Sequence, residues 1–165
     1  MNISYLLIGG NQGDREAKLA AARAHISAAA GPIRQASSLY ETAPWGKTDQ
    51  GWFLNQALAV ETESEPMTLL KTLLQIEEWM GRRRSEKYGA RLIDIDILFF
   101  NDAIVADKAT AGEPGLIIPH PEIPNRRFVL EPLNEIAPRY IHPVLGLSVQ
   151  ELLLACTDPL EVKKI

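Results

Sequence analysis

The segment LIDIDILFF, residues 92–100, is the most apolar stretch of the chain and decides the fold. Side chains alternate between the two faces of a strand, so Asp94 and Asp96 share one face and the isoleucines beside them share the other. Two strand residues span about 6.6 Å, which lets both carboxylates approach one or two cations. The segment therefore predicts a central strand with an acidic pair on one face.

Apolar periodicity and turn residues predict the elements around this strand. Asp14 is expected to cap the first helix, and Pro66 is expected to begin the second. Residues 41–51, 82–91, 101–115 and 119–125 lack a regular pattern and are expected to be loops. The expected strands cover 3–8, 33–40, 53–62 and 117–118, and the expected helices cover 14–30, 66–81, 126–136 and 148–155.

The resulting order, β-α-β-β-α-β with additional C-terminal elements, is typical of α+β proteins with a ferredoxin-like fold. In that fold, helices pack on one face of an antiparallel sheet. No repeat or linker divides the sequence, so we expect a single domain over 1–165. Because this fold serves many functions, the function must be inferred from the site.

The charge of the chain is uneven. The formal net charge is −4, yet residues 82–91, RRRSEKYGAR, carry a local charge of +4, which leaves −8 elsewhere. A basic cluster on an acidic chain favours a local anionic ligand over nucleic acid. The single Cys156 excludes an intramolecular disulfide and fits a reducing compartment. No apolar stretch approaches the roughly 20 residues of a membrane span, so we expect a cytoplasmic protein without a membrane partner.

The acidic pair and the basic segment predict a phosphoryl-transfer site. Two ionised carboxylates this close repel each other unless a cation lies between them, and oxygen ligands favour Mg²⁺ or Mn²⁺ over zinc. Arginine side chains suit phosphate oxygens because their donors form a fixed fork. The alternatives are a solvated strand face for the aspartates and a solvated loop for the arginines. The sequence has no G-x-x-x-x-G-K-[ST] motif, which excludes a P-loop enzyme.

Several motifs are spread along the chain: IGGN at 8–11, YETAPWG at 40–46, FLN at 53–55, GRRR at 81–84, KYGARLIDIDIL at 87–98, PHP at 119–121 and NRRF at 125–128. Together they resemble those of the 6-hydroxymethyl-7,8-dihydropterin pyrophosphokinase family, enzymes of folate biosynthesis. The resemblance implies the ferredoxin-like fold with long catalytic loops, and transfer of pyrophosphate from ATP to the hydroxymethyl group of the pterin, with release of AMP. It also implies two Mg²⁺ ions. We expect a monomer.

The resemblance also implies roles for individual residues. The catalytic residues would be Arg82, Arg84, Arg91, Asp94 and Asp96, with the two aspartates as metal ligands. ATP would be contacted by Arg82, Arg84, Arg91, Ile97, His120 and Arg126. Glu77 lies at the border of the apolar face of its helix, where a carboxylate usually has a partner, so it is expected to contact ATP or to support a residue that does. The pterin would be contacted by Thr42, Pro44, Trp45, Phe53, Asn55, Asp94 and Phe128, with the two phenylalanines stacking on the ring and the asparagine amide pairing with its edge.

Other interpretations of these residues remain open at the level of sequence. Phe53 and Phe128 could be core aromatics, and His120 could be a plain loop residue. The chain could be a non-catalytic module that binds a nucleotide and regulates a partner, or a metal-dependent phosphodiesterase. Residues 43–52 and 82–91 are expected to be mobile without ligand, because their closure would exclude water from the reaction.

Overall fold

A computed structural model describes residues 1–43, 51–81 and 92–165. The predictions made for residues 44–50 and 82–91, including the expected mobility of both segments, lie outside the described residues. The predicted site residues that lie there are Pro44, Trp45, Arg82, Arg84 and Arg91.

The described residues form a mixed fold of helices and an antiparallel sheet. The strands are β1 (Asn2–Gly10), β2 (Ile33–Ala36), β3 (Tyr40–Thr42), β4 (Phe53–Thr62), β5 (Asp94–Phe100), β6 (Val105–Asp107), β7 (Leu116–Ile118) and β8 (Val162–Lys164). The helices are α1 (Arg15–Ala29), α2 (Pro66–Trp79), α3 (Arg127–Ile136) and α4 (Val149–Ala155), with a 3₁₀ turn at Ile123–Asn125. No helix in these parts of the chain is long and apolar enough to cross a membrane.

The main sheet has the order β5-β1-β4-β3-β8, with β2 also paired to β4, and its pairs are antiparallel. The strands β6 and β7 form a separate hairpin. The prediction of a central position for residues 92–100 is therefore wrong. Within the described residues, β1 is the only strand of this sheet beside β5, and the long β1–β4 pair occupies the middle.

Burial on both faces explains the apolar character of this edge strand. Ile95 and Ile97 pack into the core with α1 and α2, whereas Leu98 and Phe99 pack into a second core with α3 and α4. A register shift of β5 against β1 brings these last two side chains into the same core. An apolar strand sequence therefore indicates that both faces of the strand are buried. It does not indicate whether the strand is paired with a neighbour at both of its edges.

Helices cover both faces of the sheet, whereas the predicted fold had them on one. Leu6 and Ile8 of β1 face α1 and α2, and Leu7 between them faces α3 and α4. The amphipathic pattern of a helix shows that it has a buried face, but not which side of the sheet that face meets.

The local predictions for the helix starts and for β4 are confirmed. The Asp14 side chain accepts a hydrogen bond from the Ala17 N–H at 3.1 Å, and Pro66 is the first residue of α2. β4 occupies the predicted residues. By contrast, the strand predicted over 33–40 is divided into β2 and β3. Ser37 lies at the break, where its hydroxyl replaces a backbone carbonyl as the acceptor for the Ala57 N–H at 2.9 Å.

Candidate active site

A cavity of about 1060 Å³ is lined by the face of the sheet that carries the acidic pair and continues around the edge of β5 to α2. Its size suits a ligand of nucleotide dimensions or two smaller ligands side by side. All of the predicted site residues that the structure describes line this one cavity, and they come from five elements and the segment between β7 and α3. They are Thr42, Phe53, Asn55, Glu77, Asp94, Asp96, Ile97, His120, Arg126 and Phe128.

Asp94 and Asp96 share one face of β5, as the alternation predicted. They pair with Gly9 and Leu7 of β1, and both carboxylates remain partly exposed where they line the cavity. Two partly exposed carboxylates on adjacent same-face positions fit a hard divalent cation that takes its other ligands from water or phosphate. In the described part of the chain, no group of three or more histidine, cysteine, aspartate or glutamate side chains is placed to hold a metal.

Glu77 connects α2 to the backbone between the two aspartates. Its buried carboxylate accepts a hydrogen bond from the Ile95 N–H at 2.7 Å. The edge position of β5 explains this contact, because the N–H of Ile95 points away from β1 and needs an acceptor that is not a strand. The N–H and carbonyl of Ile97 point to the same side as those of Ile95, since residues two apart in a strand are equivalent.

Thr42, Phe53 and Asn55 form a second cluster at the ends of β3 and β4. Thr42 is the register partner of Phe53, and the Asn55 Nδ2 donates to the Thr42 Oγ1 at 3.0 Å. Both polar side chains are buried, at 5% and 1% exposure for Asn55 and Thr42. A buried amide and hydroxyl that hold each other at a cavity wall can orient a polar ligand.

Gly9 leaves the space that the Asn55 amide occupies. A Cβ at this position would lie 2.1 Å from the Asn55 Oδ1. A glycine on β1 is therefore required by a side chain on the neighbouring strand. The sequence showed Gly9 only as part of the IGGN motif and gave no sign of this contact, because it joins residues far apart along the chain.

His120 is held as a neutral imidazole at the cavity wall. Burial and the nearby Arg126 guanidinium lower the pKa of His120 below its usual value. Its Nδ1 accepts a hydrogen bond from the Glu122 N–H at 3.1 Å, which assigns the proton of the neutral ring to Nε2. The Arg126 guanidinium carbon also lies 5.7 Å from the centre of the Phe128 ring, at the start of α3.

One wall of the cavity was missed by the sequence analysis. This wall joins α2 to the β6–β7 hairpin, and Lys108 brings a positive charge to it. Leu70 and Leu74 each directly follow a buried core residue of α2. Helical spacing could therefore have identified them as residues at the border of the buried helix face. Residues 101–115 carried no such signal, because β6 has only three residues. The missed residues include Leu70, Leu74, Ala106, Lys108, Pro114, Leu116 and Ile117.

The fold and the site define a class of protein. An antiparallel α+β fold with paired carboxylates, a neutral histidine and two phenylalanines lining one cavity is suited to phosphoryl-group transfer onto a small heterocyclic substrate. The comparison with known proteins is more specific. The 7,8-dihydro-6-hydroxymethylpterin-pyrophosphokinase family matches residues 5–138, and the chain belongs to this family.

Two curated relatives are named as pyrophosphokinases of this kind. The 2-amino-4-hydroxy-6-hydroxymethyldihydropteridine pyrophosphokinase of Methylorubrum extorquens is 42% identical over 166 residues, which cover 100% of this chain and 99% of the relative. That of Bacillus subtilis is 43% identical over 137 residues, which cover 82% of this chain and 78% of the relative.

A solved structure has a similar fold. Wild-type HPPK-DHPS of Plasmodium falciparum, solved with pteroate, superimposes with a TM-score of 0.73 at 21% sequence identity. The match covers 93% of this chain and 42% of that longer chain, and it concerns the fold alone.

Proposed function

We propose that the cavity beside β5 is the catalytic centre at which this chain carries out its family's reaction. That reaction transfers pyrophosphate to 6-hydroxymethyl-7,8-dihydropterin in folate biosynthesis, with ATP as co-substrate. The observation that carries the proposal is the convergence of the described predicted residues on one cavity. Little covalent assistance is needed, since positioning and charge neutralisation supply most of the acceleration in this class of reaction.

Asp94 and Asp96 would hold Mg²⁺, with two ions expected. Bound there, the metal would neutralise phosphate charge. With metal bound, Asp94 and Asp96 would favour a phosphate chain next to β5, and the hydroxymethyl group of the pterin would lie next to Asp94. His120 supports this arrangement, because a neutral imidazole with its proton on Nε2 can donate to a phosphate oxygen. Arg126 would add positive charge on the same side of the cavity.

Phe53 and Phe128 would stack on the pterin, with Thr42 and Asn55 at its edge. The two aromatic side chains line the same cavity as the buried Asn55 amide. A flat polar heterocycle gains from aromatic faces and from an amide that offers both a donor and an acceptor. Pro44 and Trp45, outside the described residues, are proposed to complete this site.

The edge of β5 would recognise the nucleotide base. Glu77 and the backbone of Ile97 lie on the side of the strand that faces away from β1, next to the apolar wall formed by α2 and the hairpin. An apolar slot beside an open strand edge suits a planar base whose ring nitrogens pair with backbone groups. Arg82, Arg84 and Arg91, also outside the described residues, are proposed to contact the triphosphate.

We further propose a ferredoxin-like classification, a single domain over 1–165, a monomer and a cytoplasmic location. The β5-β1-β4-β3 order, with α1 and α2 on one face, supports the classification, and α3 and α4 are additions to the other face. The single buried cysteine is in keeping with a reducing compartment.

A product assay tests the proposed function. Protein, ATP, Mg²⁺ and 6-hydroxymethyl-7,8-dihydropterin are mixed, and AMP is separated from ADP. We expect AMP only when the pterin is present, and we expect the Asp94→Asn variant to lose this product. Formation of ADP would assign the chain to ordinary phosphoryl transfer. Binding of both substrates without turnover would instead indicate a regulatory module.

A further inference from the structure

Arg15, the first residue of α1, connects the two strands that carry the proposed pterin contacts. Its Nη1 donates to the backbone carbonyl of Trp52 at 3.0 Å, and its Nη2 donates to the Glu41 Oε2 at 2.7 Å. Glu41 precedes Thr42 on β3, and Trp52 precedes Phe53 on β4. One guanidinium therefore contacts the residue before each of two side chains that line the cavity.

The two contacts of Arg15 lie near the end of β3 and immediately before the start of β4. Thr42 and Phe53 are register partners, so Arg15 holds the pair from outside the cavity. The side chains of Arg15 and Glu41 are 30% and 32% exposed, which makes this a partly buried, charge-assisted contact. The planar fork of arginine suits two acceptors on different strands, whereas a lysine ammonium cannot reproduce that fixed geometry.

Nearby contacts restrain the same end of the sheet. The Asn11 Nδ2 donates to the Gly51 carbonyl at 3.1 Å, and the Ala43 N–H donates to the Glu161 carbonyl at 3.2 Å. Arg15 differs from these contacts because it restrains β3 and β4 together.

We propose that Arg15 is a positioning residue that sets the separation and orientation of Thr42 and Phe53 for the heterocyclic substrate. This inference rests on the proposed pterin site. Arg15 lies outside the residues that line the cavity, so its effect would pass through the ends of the two strands. Its removal should weaken pterin binding and leave the ATP side of the cavity, at β5 and α2, unaffected.

Arg23 provides a matched control on the same helix. Its Nη1 donates to the Gln56 Oε1 at 2.7 Å, so it also joins α1 to β4 through a partly buried contact. Gln56 follows Asn55 on β4 and therefore points to the opposite face of the sheet. Loss of Arg23 should cost stability without altering the cavity.

Steady-state kinetics of Arg15→Ala, Arg15→Lys and Arg23→Ala test the proposal. We expect Arg15→Ala to raise the KM for 6-hydroxymethyl-7,8-dihydropterin about three- to tenfold, the usual effect of losing one or two modest hydrogen bonds. The KM for ATP and kcat should stay within about twofold of the wild type. Arg15→Lys should show a smaller increase, and it serves as the test variant if Arg15→Ala does not fold. Arg23→Ala should leave both KM values unchanged.

Two results would overturn the inference. An equal rise of the pterin KM in Arg15→Ala and Arg23→Ala would show a general effect of loosening α1, and an equal rise of both KM values in Arg15→Ala would show that the effect is not specific to the pterin. Phe53→Ala separates this inference from the proposed function. If Phe53→Ala raises the pterin KM and neither Arg15 variant does, only the positioning role fails. If Phe53→Ala has no effect, the proposed pterin site is wrong and the inference fails with it.

Discussion

At the scale of single residues, the site combines groups whose chemistry depends on their immediate surroundings. Asp94 and Asp96 are partly exposed and lie on one face of β5, where a cation would offset the repulsion between their carboxylates. His120 is half-buried near the Arg126 guanidinium, and both effects lower its pKa and favour the neutral imidazole. Two carboxylates that suit a metal ion and a neutral imidazole that can donate a hydrogen bond thus lie around the same cavity.

The acidic pair leads to a direct test. Asp96→Asn keeps the shape of the side chain and removes its charge, so we expect AMP formation to fall about 100-fold or more while the fold is retained. Asp107→Asn is the matched control, because Asp107 also lines the cavity but lies on the separate hairpin. Rates should be measured with both substrates saturating. Equal losses in the two variants would argue against a special role for β5.

The lowered pKa of His120 predicts a pH effect with a defined sign. In the unfolded chain this imidazole is protonated as the pH falls below about 6.5, whereas in the folded chain protonation requires a lower pH. The contribution of His120 to the free energy of unfolding should therefore decrease as the pH falls from 6.5 towards the folded-state pKa. Titration of the imidazole by NMR should give a pKa below 6.5, and Arg126→Gln should raise it. A pKa at or above 6.5 in the wild type would contradict this prediction.

At the scale of secondary structure, the edge position of β5 matters most. A buried edge strand needs acceptors for its outward N–H groups, and Glu77 of α2 supplies one of them. The same helix supplies the apolar wall with Leu70 and Leu74. A second strand on this side would have covered the region where we place the nucleotide base.

Substitution of Glu77 tests this coupling between α2 and β5. Glu77→Leu leaves the buried Ile95 N–H without its acceptor, which should cost about 1–3 kcal/mol in the free energy of unfolding. Glu77→Gln retains an acceptor oxygen and should cost less. Urea unfolding measures both effects. The outcome that would contradict the prediction is a Leu variant as stable as the Gln variant.

At the scale of the whole molecule, helices pack on both faces of the sheet. The cavity is lined by residues that are far apart in sequence, from Leu7 to Phe128. β1 and β4 form the centre of the sheet, and site residues lie on β4 and on the flanking strands β3 and β5. Ligands that bind this folded arrangement and not the unfolded chain must stabilise it.

This linkage predicts a thermal shift. A non-hydrolysable ATP analogue with Mg²⁺, at about 100 times its Kd, should add about 2.7 kcal/mol to the free energy of unfolding. For a chain of this size, that corresponds to a rise in Tm of roughly 5–10 °C. Asp94→Asn should show a smaller shift at the same concentrations. Equal shifts in Tm with and without Mg²⁺ would show that the aspartates do not contribute to nucleotide binding through a metal ion.

Much of the local structure followed from the sequence. The bounds of β4, the capping of α1 by Asp14 and the start of α2 at Pro66 are each confirmed, because they depend on residues within one turn or one strand. The short strands β6 and β8 were missed, since three residues carry no readable period.

The sequence alone determined which side chains share a face, and the motifs it contains indicated the family. Asp94 and Asp96 lie together because a strand alternates with a period of two, whatever surrounds it. Only the tertiary structure decided that β5 has one strand beside it in the described sheet, that helices cover both faces, that Gly9 leaves space for Asn55, and that Arg15 joins the residues before Thr42 and Phe53. Those features depend on contacts between residues that are far apart along the chain, and such contacts are set by packing that no local pattern encodes.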